Sequence, residues 1–361
     1  MQHFWLRHEV KEGEGRSPLL PTHAAALIQK GHKVSVERSA TRCVADALYE
    51  EAGAQLVETG SWVNAPKDAV ILGLKELPES NDALVHNHIF FAHCFKGQGG
   101  SAELLNRFKS GGGTLWDLEF LTLDNGRRVA AFGRAAGIAG MAVGLLVWAY
   151  KQLDPLSVSP CPPLVERFQN YDELATYVKQ FLDKAKEKSG KLPTVIVIGA
   201  LGRCGGGSVD FAEKVGITPT KWDLDETKKG GPFPEILQHD IFVNCIYLMT
   251  KIPPFVTSEG IAGPGRVLSV IADVSCDTSN PNNPIPVYNQ TTTFLKPTLR
   301  ATQGDNPLDV IAIDHLPSLV PAESSKEFDD ALIEHLLAYP NTPVWTRAKD
   351  LFHQKTKEVL G

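Results

Sequence analysis

Two segments carry residue types that could move protons. In GLKELPE, Lys75 and Glu76 follow the apolar run AVILGL; in HNHIFFAHCFK, His86, His88 and His93 surround an apolar strand. A lysine of lowered pKa and a histidine near its reference value make a base and acid pair at neutral pH, worth about 10² to 10⁴-fold in rate. That chemistry requires Lys75 and His93 to meet at the C-terminal edge of one sheet, where α/β enzymes bind ligands. Taken singly, a lysine after a strand is more often a solvated charge. His86 and His88 alternate as on a strand, but no third ligand stands at metal-like spacing, and no metal is expected. Arg16, Arg127, Arg128 and Arg134 offer planar guanidinium forks for carboxylates, although each alone reads as surface charge.

A third segment, TVIVIGALGRCGGGSVDFAEKVG at 194–216, runs apolar strand, glycine turn, helix. Val209, Ala212 and Val215 recur three apart, as on one helical face. This context turns a glycine pattern into a dinucleotide site, with backbone close to the pyrophosphate and free helix N–H groups aimed at its charge. The spacing is Gly199-x-x-Gly202-x-x-Gly205 rather than G-x-G-x-x-G, so a tight turn in any α/β protein stays open as the plainer reading. Asp223, about two dozen residues on at the end of the next strand, is placed to bind ribose hydroxyls. A carboxylate there repels a 2′-phosphate, which favours NAD over NADP.

Elements that alternate along the chain must position these groups. Strands are expected at His3–Arg7, Lys33–Glu37, Ala69–Gly73, Ile89–His93 and Thr114–Asp117, with helices at Thr22–Lys30 and Ala102–Lys109. A second array is expected at Thr194–Ala200, Thr220–Asp223, Ile241–Tyr247 and Val267–Asp273, closed by Val310–Ile313. The pattern predicts an α/β fold of two Rossmann-like domains, with parallel sheets flanked by helices and the active site in the cleft between them. Ala135–Tyr150 is 16 residues of apolar sequence, short of the roughly 18 to 20 a membrane span needs, and reads as a buried helix between domains. Its glycines at 137, 140 and 144 would admit another backbone. A proline-rich connection, Ser157–Pro163, precedes a helix over Asn170–Lys188. Helices at Ser324–Ala338 and Thr346–Leu360 are expected to return to the first domain, giving domains of 1–134 plus 322–361 and of 135–321.

Composition narrows the class. The 361 residues are 43% hydrophobic and 22% charged, as in globular chains, with a net charge of −6. That balance argues against a basic nucleic-acid surface. Six cysteines, without CxxC pairs, suggest a reducing compartment. The charged N-terminus lacks a signal-peptide core, and KEVLG is no peroxisomal tripeptide. A cytoplasmic monomer without nucleic-acid or membrane partners is expected. Cys204 in the glycine turn and Cys245 in another strand could approach one another, as a disulfide or as two buried thiols.

ILGLKELPE at 71–79, FAHCFK at 91–96, LWDLEFL and NGRRVAAFG within 115–133, and GALGRCG at 199–205 resemble fungal saccharopine dehydrogenases. So do KWDLDET at 221–227, FVNCIYL at 242–248, DVSCDTSNPNNPIP at 273–286 and IDHLPSLVP at 313–321. The resemblance implies an NAD-dependent enzyme of lysine biosynthesis that converts saccharopine to lysine and 2-oxoglutarate. It implies that Lys75 takes the first proton, from the secondary amine, and that His93 shuttles protons in imine hydrolysis. It further implies substrate contacts by Arg16, Gln98, Arg128, Phe132, Ser275, Cys276 and Asp277. On the cofactor side it implies Arg127, Gly202, Arg203, Asp223, Thr227, Tyr247, Val274, Ile313, Asp314, His315 and Leu316. Glu76 and Glu119 would tune the nearby lysine by charge. Cys276 departs from a smaller, alanine-like residue that would also fit there. Two rivals stay open: an alanine-dehydrogenase-like enzyme acting on pyruvate and ammonia, and a catalytically silent NAD sensor.

Overall fold

The computed structural model describes residues 1–155, 157, 167–248, 250–276, 278 and 282–361. The chain divides into two compact units, Met1–Ala131 with Pro321–Gly361, and Phe132–Val320. The first begins with β1 (His3–Leu6), α1 (Pro21–Gln29), β2 (Lys33–Glu37), α2 (Asp46–Glu51) and β3 (Gln55–Val57). It continues through β4 (Ala69–Leu72), β5 (Asn87–Phe90), α3 (Ser101–Gly111) and β6 (Thr114–Asp117). The strands form one parallel sheet in the order β3-β2-β1-β4-β5-β6. Chain direction across the sheet reverses between β1 and β4, the doubly wound arrangement. Strands such as AVIL are buried along their whole length, which is why they read as apolar runs without alternation.

The second unit opens with α4 (Gly133–Leu153), α5 (Tyr171–Ser189), β7 (Val195–Ile198), α6 (Arg203–Lys214) and β8 (Thr220–Trp222). Next come α7 (Leu224–Thr227), α8 (Pro234–Leu237), β9 (Ile241–Asn244), α9 (Ser258–Ala262), β10 (Val270–Asp273), β11 (Leu299–Arg300) and β12 (Asp309–Ile311). The sheet order is β11-β12-β10-β9-β7-β8, parallel except for β11. The apolar run expected at Ala135–Tyr150 is α4, extended to 21 residues. It is not a connection between domains: Ile138–Ala149 lies in the core of this unit, with α5, α6 and the sheet around it. Of its three glycines, Gly137 admits a backbone, that of α6, where a methyl would lie 1.8 Å from the Cys204 oxygen. Gly140 and Gly144 meet side chains instead, of Val274 and of Ala272 and Ile241.

The last helices, α10 (Pro321–Leu337) and α11 (Pro343–Leu360), belong to the first unit. Trp116 Nε1 donates to the Trp345 carbonyl at 3.0 Å, and Phe108 meets Phe352 edge-on at 5.6 Å. Both helices start three residues before the expected positions because each opens on a proline, whose fixed φ suits a first helical turn.

Other boundaries also shift for local reasons. The strand expected at Ile89–His93 is Asn87–Phe90, because His93 turns to φ +49° and leaves the extended region. The strand expected from Val267 starts at Val270, since the Val267 and Leu268 amides bond the Leu237 carbonyl. The second sheet is closed not by β12 but by the two-residue antiparallel β11. Apart from Ser157, the proline-rich connection lies outside the described residues.

Candidate active site

In the first unit the chemistry-bearing residues gather beyond the C-terminal ends of adjacent strands. Lys75 follows β4 and His93 follows β5, and these strands are neighbours. Pairing continues past the strand ends, with Gly73 N bonded to Ile89 O and Phe91 N to Leu74 O, both at 3.0 Å. Glu9, beyond β1, accepts the amides of Leu74 at 2.6 Å and Lys75 at 2.9 Å, which fixes the lysine's backbone. His93 Nδ1 lies 2.6 Å from Glu76 Oε1. Lys75 and His93 therefore share one sheet edge, joined through Glu76. His93 is the non-glycine residue with positive φ among the described residues. Such a conformation costs of order 1–3 kcal/mol and persists where neighbours impose it, as at functional sites.

Electrostatics fit proton transfer. Burial lowers the Lys75 pKa, and the charges of Arg16 and Lys11 lower it further, while Glu14 and Glu76 draw it back up. A larger fraction of neutral amine at a given pH makes the lysine a better base. Burial pushes the Glu76 carboxyl up, but the His93 hydrogen bond, its own backbone amide and the charges of His93 and Lys75 bring it down to about 2. Arg16 is buried and paired with Glu14 by bonds of 2.9 and 2.5 Å. Burial raises the Glu14 pKa, but the charge and hydrogen bonds of Arg16 lower it overall.

Gln98 lies on the same edge and accepts the Lys96 amide at 2.8 Å. Glu119, expected to tune the lysine by charge, is not among the groups that shift it. Its carboxylate holds Lys96 at 2.8 Å, and its charge acts on Asp117. Arg127 and Arg128 are exposed on the hairpin after β6, bridged at Thr122 and Arg128. His86 is tied to the Ala65 carbonyl, and His88 is wholly buried among Trp62, Phe90 and Phe108. Burial keeps His88 neutral, as a core residue.

In the second unit the glycine turn joins β7 to α6. Gly199 has φ +88° and lets the chain reverse; a methyl at Gly205 would stand 2.0 Å from the Gly199 oxygen. Gly202 is the N-cap of the 12-residue α6, and no side chain among the described residues caps that terminus. The irregular spacing thus still supplies a turn, an open backbone and close strand–helix packing, the three uses of glycine at a pyrophosphate. Exposed Arg203 stands in the first turn of α6.

Asp223 follows β8 as the N-cap of α7, its Oδ2 accepting Leu201 N and its Oδ1 accepting Leu224 N, both at 2.9 Å. The capping box adds the Glu226 amide as a third donor, and since a carboxylate has about four acceptor positions, one remains for a ribose hydroxyl. These residues fit a dinucleotide: an uncapped helix terminus for the phosphates and an acid hydrogen-bonded to the turn. Thr227 is buried and spends its hydroxyl on the Asp223 carbonyl at 2.7 Å. Tyr247 follows β9, Val274, Ser275 and Cys276 follow β10, and Ile313, Asp314, His315 and Leu316 follow β12. All stand at the C-terminal edge of the second sheet. His315 Nδ1 lies 2.6 Å from Asp314 Oδ1, and Leu316 and Ile313 are buried. Phe132 precedes α4 in this unit. Asp277 lies outside the described residues.

Cys204 and Cys245 are free thiols in hydrogen-bond contact, and that bond, with burial, pushes the Cys204 thiol well up. Two residues not singled out in the sequence frame these edges. Asp117 ends β6 and Asp273 ends β10; both are buried carboxyls, and Asp273 accepts Tyr288 Oη at 2.7 Å and Asn244 Nδ2 at 3.0 Å. An acid as the last residue of an apolar strand, as in TLWD and VIAD, is the signal they share.

Residues 5–139 match the family described as "Alanine dehydrogenase/PNT, N-terminal domain". A solved L-alanine dehydrogenase superposes with a TM-score of 0.66 at 15% identity, covering 98% of this chain and 94% of that one, a likeness of fold. Two Rossmann-like sheets and the glycine turn define an NAD-dependent dehydrogenase. The saccharopine dehydrogenase [NAD(+), L-lysine-forming] of Emericella nidulans is 54% identical, over 98% of this chain and 96% of its own. That of Yarrowia lipolytica is 53% identical, over 98% and 97%. The chain belongs to this family of NAD(+)-dependent, L-lysine-forming saccharopine dehydrogenases.

Proposed function

We propose that this chain catalyses saccharopine + NAD⁺ + water to lysine + 2-oxoglutarate + NADH + H⁺, through Lys75 and His93. The observation that carries the assignment is their shared sheet edge, with Glu76 bonded to His93 and the lysine's pKa lowered. When bound, NAD⁺ serves as the hydride acceptor. Neutral Lys75 takes the proton of the secondary amine, which frees its lone pair to form the imine as hydride leaves the neighbouring carbon. His93 then moves protons as water adds and the carbinolamine collapses to amine and keto acid, with Glu76 stabilising the imidazolium.

Saccharopine carries three carboxylates. In this reading Arg16, Gln98, Arg128, Phe132, Ser275, Cys276 and Asp277 contact them. Gly202, Arg203, Asp223, Thr227, Tyr247, Val274, Ile313, Asp314, His315 and Leu316, with Arg127, hold the cofactor. Thr227 acts through Asp223, whose carbonyl it binds. The reading takes the protein as a cytoplasmic monomer; the five free cysteines among the described residues support a reducing compartment.

The test is NADH oxidation with lysine plus 2-oxoglutarate, set beside pyruvate plus ammonia. Turnover with the first pair and none with the second is expected. No NADH consumption with lysine and 2-oxoglutarate would sink the assignment.

A further inference from the structure

Beneath the His93 turn lies a carboxyl that the proposed mechanism does not use. Asp117 ends β6, paired in register with Phe90 of β5, and is wholly buried. Its Oδ1 accepts the Glu119 amide at 2.9 Å, capping the short turn Leu118–Phe120. The backbone amide of Ala92, the residue before His93, also acts on the carboxyl. Its Oδ2 is buried with no hydrogen-bond partner among the described residues. The groups that face it are Glu119 on its own turn and His93 and Cys94 on the β5 loop. On the other side His93 meets Glu76 from the β4 loop, while Glu119 is held by Lys96.

We propose that Asp117 is a positioning residue for His93, holding the Ala92–His93 turn and giving the imidazolium a second carboxyl besides Glu76. The left-handed backbone of His93 needs neighbours that impose it, and a buried acceptor acting on the preceding amide is one. Burial first, and the charge of Glu119, raise the Asp117 pKa to about 7, against the lowering by its backbone bonds and by His93. The charge of each group acts on the other across the turn. An ionised Asp117 favours protonated His93, so losing that charge lowers the histidine's pKa. The inference rests on His93 as the proton carrier.

The test compares Asp117→Asn, which keeps an acceptor for the Glu119 amide, with His93→Gln. In Asp117→Asn, the limb of the kcat profile that His93→Gln abolishes shifts to lower pH by about 1 unit, with KM for NAD unchanged. A slow His93→Gln enzyme beside an Asp117→Asn profile that superimposes on the parent's overturns the proposal alone. A His93→Gln enzyme at parental rate overturns the role of His93 and the proposal with it. The parent protein supplies a second measurement that needs no variant. The ring protons of His93, followed by NMR from pH 5 to 9, show two coupled steps if Asp117 acts on them; one simple step overturns the proposal.

Discussion

At Asp223 one carboxylate serves both fold and cofactor site. It caps α7, accepts the Leu201 amide across the glycine turn, and retains an acceptor position for a ribose hydroxyl. Asp223→Asn keeps the cap and removes the charge. Its KM for NAD should rise about tenfold, as expected for a lost charged hydrogen bond of about 1.5 kcal/mol, while kcat at saturation holds. Discrimination against NADP should fall in the same steady-state assays; unchanged constants for both cofactors would remove Asp223 from the site. Motif spacing made this acid legible, because a strand, a glycine turn and an acid at the next strand end imply one geometry. Lys75 and His93 were legible only conditionally, since nothing in either segment says that β4 and β5 lie side by side. Asp117 was not legible as a special group. Its burial depends on the β5 loop and on Glu119, and a strand-end acid otherwise reads as solvated charge.

Within α6, neighbouring glycines have opposite roles. A methyl at Gly207 would lie 2.2 Å from the Arg134 oxygen of α4, whereas one at Gly206 meets nothing within 4 Å. Gly207→Ala should therefore destabilise the second unit by about 3 kcal/mol, as overpacking against rigid backbone does. Gly206→Ala should be neutral or stabilising by up to about 1 kcal/mol through helix propensity. Denaturant midpoints decide it, and equal effects at the two positions would refute the packing of α4 on α6. The apolar run of α4 and the buried strands were legible from composition because burial on all sides leaves little room for polar residues. The ends of β5 and β9 were not. They are set by the turn at His93 and by the Asn244 side chain, which accepts the Ile246 amide at 3.2 Å. β3 and β11 are three and two residues long, too short to carry a period.

For the molecule as a whole, two buried acids in the first unit set a direction for stability against pH. Asp329 receives the Leu20 amide and pairs with His23 at 2.7 Å, yet burial raises its pKa to about 7, as it does for Asp117. A carboxyl raised in this way stabilises the fold fully below its unfolded value near 4, and loses that contribution as pH rises through about 7. Thermal midpoints for the first unit should thus rise by a few degrees between pH 8 and pH 6, and Asp329→Asn should flatten the trend. A midpoint that falls over that interval would contradict it.

The return of α10 and α11 to the first unit also has a consequence for the order in which the polypeptide is made. A ribosome completes residues 132–320 before it releases α10, which packs on α1, and α11, which covers β6 and α3. Until Trp345 and Phe352 emerge, Trp116 and Phe108 lack those two partners. The second unit can therefore fold as an inserted whole on the nascent chain, while the first, begun earliest, is finished last.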